Sequence, residues 1–332
     1  MDKKRVAVIG AGAAGLSAMK HLLSDQYSGS FSVQGFEHSD RVGGVWARGD
    51  TMWASLHTNL PANAVMQFRD HAYPATSPSY VHHSAVKEYL ESYADAFSLR
   101  QHFAFNTSVV CVRPIQPDRF DSAWEVTVCE NQPANSDSDN CREGEGDCKN
   151  KKIERTEIFD AVIVSSGHFD TPYFPPIPGL PSPAQLPASI SHSKTYSCPE
   201  SFRGQVVLVV GCGASGVEIC PEVAAVAKAV HVVAPRRQPK DEFFEIPAGV
   251  LERHSGLELI EDLVHSFELA GQGQGQGQGH RAVLRSGRVL EHIDCVLFCT
   301  GYHYEYPFLH PSCGVEVQGG KAVSPLVQQL WL

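Results

Sequence analysis

Two glycine runs with a spacing suited to phosphate binding occur in this chain, Gly10-Ala11-Gly12-Ala13-Ala14-Gly15 and Gly211-Cys212-Gly213-Ala214-Ser215-Gly216. In a G-x-G-x-x-G turn the first glycine permits a tight bend and the second lets backbone approach a pyrophosphate. The third lets a helix pack closely on a strand. The helix that follows offers its N-terminal N–H groups to the anion. A lone run is weak evidence, because the chemistry needs a strand before it and a helix after it. Both runs have that setting. Val6-Ala7-Val8-Ile9 precedes the first and Leu16 to Leu23 follows it; Val206-Val207-Leu208-Val209-Val210 precedes the second and Val217 to Ala229 follows.

What comes after each run separates the ligands, because the residue about twenty positions on stands beside the adenosine ribose. The strand Phe31 to Phe36 ends at Glu37, whose carboxylate suits both ribose hydroxyls of FAD or NAD. The strand Val230 to Ala234 runs into Pro235-Arg236-Arg237. A guanidinium there suits the 2′-phosphate of NADP by bidentate, charge-assisted bonding. The alternative for Arg236 and Arg237 is a solvated loop.

The elements that must position these residues follow from pattern. A helix is expected at 84–97, strands at 103–112 and 123–129, and a buried strand at 160–165 ending on Ser166-Gly167. Residues 130–152 are polar and charged and read as a flexible hairpin insertion. Pro172 to Pro187 reads as an extended linker, since proline removes donors and blocks helix. The Gly-Gln repeat from Gly271 to Gly279 reads as a loop expansion. A last strand, Cys295 to Cys299, runs into Thr300-Gly301-Tyr302. The fold class is therefore α/β, with two Rossmann-like three-layer dinucleotide-binding domains, the second inserted into the first. The expected boundaries are 1–170 for the first part of the first domain, 171–294 for the inserted domain, and 295–332 for an incomplete return to the first domain.

Composition narrows the function classes. With 332 residues, two domains are the prior expectation. The balance of 27 basic against 37 acidic residues, a net charge of −10, disfavours a nucleic-acid surface. No apolar stretch approaches membrane-spanning length, and the first strand begins at Arg5, so a cytoplasmic protein is expected. The 10 cysteines contain no CxxC pair, which argues against a disulfide reductase on the same fold, and no metal-ligand spacing occurs.

A longer pattern follows Glu37: His38-Ser39-Asp40-Arg41-Val42-Gly43-Gly44-Val45-Trp46. An acid followed by x5-G-G-x-W, after a first G-x-G-x-x-G, resembles the FAD half of the flavin-containing monooxygenases and their Baeyer–Villiger relatives. Ser55-Leu56-His57-Thr58-Asn59-Leu60-Pro61, continuing through Val65-Met66-Gln67-Phe68-Arg69-Asp70, is similar to the S-L-x-T-N-x-P … M-x-F-x-D stretch of plant-type members. The resemblance implies that Thr58 and Asn59 lie beside the flavin and that Asn59 helps to hold its oxygenated form. A turn amide bonding its own backbone is the alternative for Asn59. Phe105-Asn106-Thr107-Ser108-Val109 resembles the strand that passes the FAD adenine. The family identifier F-x-G-x-x-x-H-x-x-x-Y aligns with Leu186 to Tyr196, where His192-Ser193 and Tyr196 agree but Leu186 and Ala188 replace Phe and Gly. Phe202-Arg203-Gly204 and Phe298-Cys299-Thr300-Gly301-Tyr302 complete the set in the family's order.

The resemblance implies FAD held by Gly10, Ala11, Gly12, Ala13, Ala14, Gly15, Glu37, Gly44, Val45, Trp46, Thr58, Asn59, Val109, Thr300 and Gly301. It implies NADPH held by Gly211, Gly213, Ala214, Ser215, Gly216, Arg236, Arg237, His192, Ser193 and Tyr196. The activity implied is NADPH-dependent oxygenation of an amine or thioether by way of a C4a-hydroperoxyflavin, with O2 as co-substrate and with flavin, not a side-chain nucleophile, carrying the chemistry. Families of this type continue further, so the chain is expected to lack their C-terminal part. Two alternatives stand beside this reading: a non-catalytic or uncoupled member acting as a weak NADPH oxidase or interaction fragment, and a Baeyer–Villiger enzyme, which Tyr196 and the Thr58-Asn59 block disfavour. A homo-oligomer is compatible with everything above.

Overall fold

The computed structural model describes residues 2–27, 29–48, 53–119, 121–130, 153–235, 246, 248–269 and 279–325. The chain divides into two compact units, one of residues 1–48, 60–168 and 304–332, the other of 49–59 and 169–303.

In the first unit, Lys4–Ile9 (β1), Ala13–Leu22 (α1) and Phe31–Phe36 (β2) form the expected strand, helix and strand. After a single helical turn, Ala62–Val65 (α2), come His83–Ala96 (α3) and Phe103–Ala104 (β3). Thr107–Pro114 (β4), Trp124–Glu130 (β5), Glu154–Phe159 (β6) and Ala161–Val164 (β7) follow. A parallel sheet has the order β3-β2-β1-β7, and β4-β5-β6 make a separate antiparallel sheet. Parallel neighbours need a crossover, which α1 supplies between β1 and β2. Successive side chains of β1 point to opposite faces. Val8 packs with Leu16 and Met19 of α1 and with Leu90 and Tyr93 of α3. Ala7 and Ile9 pack with Val112, Val126, Val128 and Phe159 of the antiparallel sheet. Burial of β1 on both faces explains why its sequence is a continuous apolar run rather than an alternating one.

The second unit repeats the plan. Its elements are Thr171–Pro172 (β8), Ile190–His192 (β9), Val206–Val210 (β10), Ala214–Ala224 (α4) and Ala229–Ala234 (β11). Ala248–Arg253 (α5), Leu257–Glu261 (β12), Val264–Glu268 (β13), His280–Leu284 (β14), Val289–Ile293 (β15), Cys295–Phe298 (β16) and Tyr302–His303 (β17) follow. The parallel sheet β12-β11-β10-β16-β9 carries α4 on one face, where Val207, Val209 and Leu297 meet Ile219, Cys220 and Val223. On the other face Leu208, Val210, Val296 and Phe298 meet Phe267, Ala282 and Leu284 of the antiparallel β13-β14-β15. Each unit is thus a helix, parallel-sheet and antiparallel-sheet sandwich.

Several boundaries differ from the sequence reading. The strand at 295–299, expected to begin the return to the first domain, pairs parallel with β10, Val207 opposite Cys295 and Val210 opposite Phe298. It is the second domain's own counterpart of β7, and the second unit runs on to His303. An apolar run announces a buried strand but not which sheet will take it. The returning chain adds no strand to the first parallel sheet among the described residues. Val112 N donates to Phe308 O (2.7 Å) and His310 N to Val112 O (2.9 Å), and a small hairpin, Glu316–Gln318 (β18) with Ala322–Ser324 (β19), follows. The proline-rich stretch is packed chain and not a linker. Phe174, Ile177, Leu180 and Leu186 lie against the core of the second unit, because proline forbids a ladder but not apolar contact. The run 103–112 breaks at Asn106, whose φ of 51° ends β3 before β4 begins. Helix α4 stops at Ala224, short of the expected Ala229. Residues 131–152 and 270–278, singled out in the sequence, lie outside the described residues.

Candidate functional site

Each glycine turn divides into glycines that the fold requires and one that it does not. Gly10 has φ +100°, and a Cβ on it would stand 2.6 Å from the Ser165 carbonyl oxygen. A Cβ on Gly15 would stand 1.8 Å from the Gly10 carbonyl oxygen. Gly12 is different: its added Cβ would meet only Gly44 Cα, at 3.7 Å. The second turn repeats this. Gly211 has φ +90° and a Cβ position 2.7 Å from Cys299 O, Gly216 would meet Gly211 O at 2.8 Å, and Gly213 would meet nothing within 4 Å. Strand packing therefore explains the outer glycines, and the bare middle ones leave open space.

That space lies at a helix N-terminus in both units. Gly12 and Gly213 are the N-caps of α1 and α4; neither gives a side-chain cap, and no acidic residue stands in either first turn. The first intrahelical bonds are Leu16 N to Gly12 O (2.9 Å) and Val217 N to Gly213 O (3.0 Å). The N–H groups of Ala13, Ala14 and Gly15, and of Ala214, Ser215 and Gly216, precede those bonds and have no carbonyl of their own helix to meet. Ala13, Ala14 and Gly213 are exposed. Uncapped donors, a positive dipole end and a missing Cβ together fit a pyrophosphate in each unit.

Glu37 sits at the end of β2 beside the first turn and is buried. Its Oε2 accepts from Ala11 N (2.8 Å), while Oε1 accepts from Ser39 N (2.9 Å) and Ser39 Oγ (2.7 Å) and faces His38 Nδ1 (2.9 Å). Burial raises its pKa, but the bonds from His38, Ala11 and Ser39 outweigh burial and hold it at about 2. The carboxylate is ionised, it locks the turn to β2, and Oε2 keeps a second lone pair. Gly43 and Gly44 complete the cradle: Gly43 N donates to Ala11 O (3.0 Å), and a Cβ on Gly44, at φ +57°, would come within 3.1 Å of Gly12 Cα. Val45 is exposed, whereas Trp46 packs on the core that holds Val8 and Leu16. Thr107 N donates to Glu37 O (2.8 Å), so β4 starts beside the acid; Val109 further along packs on the core of the antiparallel sheet.

Four residues expected on the FAD side stand in the second unit. Thr300 Oγ1 donates to Tyr173 O, and Gly301 O accepts from Tyr173 N (2.9 Å). Thr58 is buried and Asn59 exposed, on a segment 49–59 that also belongs to the second unit. Of the residues expected on the NADPH side, His192 ends β9 and accepts from Lys194 N through Nδ1 (3.1 Å). Its Nε2 and the Oγ of Ser193 are buried without a hydrogen-bond partner. Burial lowers the His192 pKa to about 4, against a raising contribution from the Gly301 backbone, so the ring is neutral at pH 7 with its proton on Nε2. Two buried orphans side by side are polar groups positioned for something the chain itself does not supply.

Tyr196 is buried, and its hydroxyl donates to Glu222 Oε2 (2.8 Å). Arg236 and Arg237 lie outside the described residues, directly after β11 and Pro235. Glu222 was missed in the sequence, although Glu218 and Glu222, four apart on an otherwise apolar helix, gave a signal. Among the described residues there is no cluster able to hold a metal ion and no helix long and apolar enough to cross a membrane.

Comparison with known proteins accords with this geometry. Residues 157–326 match a family model described as pyridine nucleotide-disulphide oxidoreductase, a fold match without a CxxC pair. Flavin-containing monooxygenase FMO GS-OX-like 4 of Arabidopsis thaliana is 31% identical, over 98% of this chain and 68% of its own length. The structure of S-allyl-L-cysteine S-oxygenase from Allium sativum superposes with a TM-score of 0.69 at 27% identity, covering 98% of this chain and 68% of that one. Cyclohexanone monooxygenase is more distant, sharing the fold at a TM-score of 0.57 and 16% identity over 92% of this chain and 74% of its own. The chain thus spans about two thirds of the length of these plant relatives. Residues 3–238 match the family model described as flavin-binding monooxygenase-like, and with that match, two dinucleotide-type domains and a similar plant enzyme, the chain belongs to the flavin-binding monooxygenase-like family of oxidoreductases.

Proposed function

We propose that the chain binds FAD on the first unit and NADPH on the second, and serves a monooxygenase that oxygenates a soft nucleophile, a thioether or tertiary amine. The observation that carries this reading is the duplicated bare glycine at an uncapped helix N-terminus, Gly12 and Gly213. Backbone N–H groups at 13–15 would hold the FAD pyrophosphate, and the free lone pair of Glu37 Oε2 would take a ribose hydroxyl. The N–H groups at 214–216 would hold the NADPH pyrophosphate, with Arg236 and Arg237 on the 2′-phosphate and the unpaired Nε2 of His192 and Oγ of Ser193 as further polar contacts. Asn59, an amide donor and acceptor, is the side chain the family resemblance assigns to the flavin. Held by these residues, FAD and NADPH would supply the redox chemistry that oxygenation by O2 requires. The protein's part is to bind, orient and exclude water; the site contains no paired carboxylates or side-chain nucleophile, among the described residues, that would do more.

Sulfur is the favoured acceptor, because S-allyl-L-cysteine S-oxygenase superposes along 98% of this chain. The test is product analysis with FAD, NADPH, O2 and either methyl p-tolyl sulfide or N,N-dimethylaniline. Sulfoxide formed in excess of N-oxide supports the reading, and NADPH oxidation that yields neither would remove it.

A further inference from the structure

Glu222 gathers three hydrogen-bond donors from distant parts of the second unit. Its Oε2 accepts from Trp53 Nε1 (2.8 Å) and from Tyr196 Oη (2.8 Å), and its Oε1 accepts from Ser55 Oγ. The first and last of these span 169 and 167 residues of sequence. The Trp53 and Tyr196 rings meet edge to face at 5.6 Å and 79°, and Tyr196 stacks on Phe202 at 6.1 Å. Ala54 N donates to Ser197 O (2.9 Å), and Leu56 N closes a turn on Trp53 O (3.1 Å). One turn back on the helix, Glu218 has its pKa raised by burial and then by Glu222, while the nearby His57 acts in the opposite direction. Glu222 thus meets the segment at Trp53 and Ser55, with Glu218 one turn back on α4.

Nothing in helix physics asks for this arrangement. A carboxylate in the last turn opposes the helix dipole, and like charges four residues apart repel. Charge-assisted bonds from three donors outweigh both effects. Glu222 also lies about 13 Å along the helix axis from Gly213, so it is remote from the phosphate-binding end.

We propose that Glu222 is a positioning residue: it clamps the segment Trp53–Asn59 onto α4 and thereby fixes Thr58 and Asn59 for oxygenation. The proposal rests on the reading above in one respect, that Asn59 serves the flavin. The clamp itself is independent of that reading. Because Trp53 and Tyr196 share Oε2, glutamine at this position keeps an acceptor for both, whereas alanine keeps none.

The test is hydrogen–deuterium exchange of the full 332-residue chain, comparing wild type with Glu222→Ala, Glu222→Gln and Trp53→Phe. Glu222→Ala should speed exchange in a 53–59 peptide by about tenfold or more while β10 and β11 stay protected, and Glu222→Gln should restore protection to within about twofold. Trp53→Phe removes one donor without touching α4, and should also speed exchange in that peptide. Unchanged exchange at 53–59 in Glu222→Ala, or in Trp53→Phe should the first variant fail to fold, overturns the clamp. With FAD and NADPH supplied, Glu222→Ala should release more hydrogen peroxide per NADPH than wild type, with the KM for NADPH altered less than about twofold. A loosened segment with an unchanged peroxide ratio overturns the positioning role. A wild-type chain that holds no flavin instead refutes the function proposed above, and leaves the exchange result to decide the clamp.

Discussion

An alanine placed in turn at Gly10, Gly12, Gly15, Gly211, Gly213 and Gly216 separates glycines that serve the fold from those that serve a ligand. At Gly10 the left-handed backbone alone costs a Cβ about 1–2 kcal/mol, and the 2.6 Å approach to Ser165 O adds about 1–3 kcal/mol of overpacking. The sum, about 2–5 kcal/mol, is a large part of a domain's stability. Gly15 has a closer contact still, 1.8 Å from Gly10 O, and should unfold the first unit. Gly12→Ala meets no atom nearer than 3.7 Å, and exchanging one N-cap for another costs at most about 1 kcal/mol. Its methyl group nevertheless occupies the space a pyrophosphate needs, so FAD affinity should fall about tenfold to a hundredfold, roughly 1.4–2.8 kcal/mol. Gly213→Ala should do the same to NADPH and leave FAD alone. Urea midpoints read the fold, and flavin fluorescence and NADPH titration read the sites. Gly12→Ala with wild-type FAD affinity, or Gly10→Ala with wild-type stability, would refute the division.

Acid should destabilise the protein in two windows. The His192 pKa is about 4 in the fold against an ordinary 6.5 for the unfolded chain; the unfolded chain binds the proton first, so stability falls from pH 6.5 to 4, by about 3 kcal/mol at most. For Glu37, at about 2 against 4.5, stability present above pH 4.5 is lost as pH falls towards 2. Urea titrations of His192→Gln and Glu37→Gln should flatten the upper and lower windows respectively; a slope unchanged by either variant would contradict its assignment. Phe298→Ala empties a buried site that touches Phe174 at 5.2 Å and Phe267 at 6.2 Å, and should cost about 3–5 kcal/mol, read as loss of NADPH binding at a temperature where FAD is retained. Arg236→Ala should weaken NADPH about tenfold to a hundredfold while sparing NADH; equal effects on both would remove Arg236 from the 2′-phosphate.

The repeated fold was legible because glycine spacing and apolar runs are local. Each G-x-G-x-x-G could be read from one stretch of sequence, and so could the ends of β2 and β11 at Glu37 and before Arg236. What failed was long-range assignment. Cys295–Phe298 reads equally well as a strand of either sheet, and only its register against β10 decides. The proline-rich stretch reads as a linker until Phe174 and Leu180 are seen to pack. The bond that holds the Tyr196 hydroxyl could not be read either, because its acceptor, Glu222, is defined by Trp53 and Ser55 far away in sequence. The orphan atoms of His192 and Ser193 could not be seen in sequence either, since burial without a partner is a property of the packed chain.

The central claim is that one chain binds both dinucleotides and passes a hydride between them. Anaerobic titration of the FAD-loaded protein with NADPH, followed by the visible flavin band, tests it most directly. The account predicts a stoichiometric flavin that bleaches with NADPH and far less readily with NADH. A colourless protein, or a bound flavin that NADPH does not reduce, would contradict it.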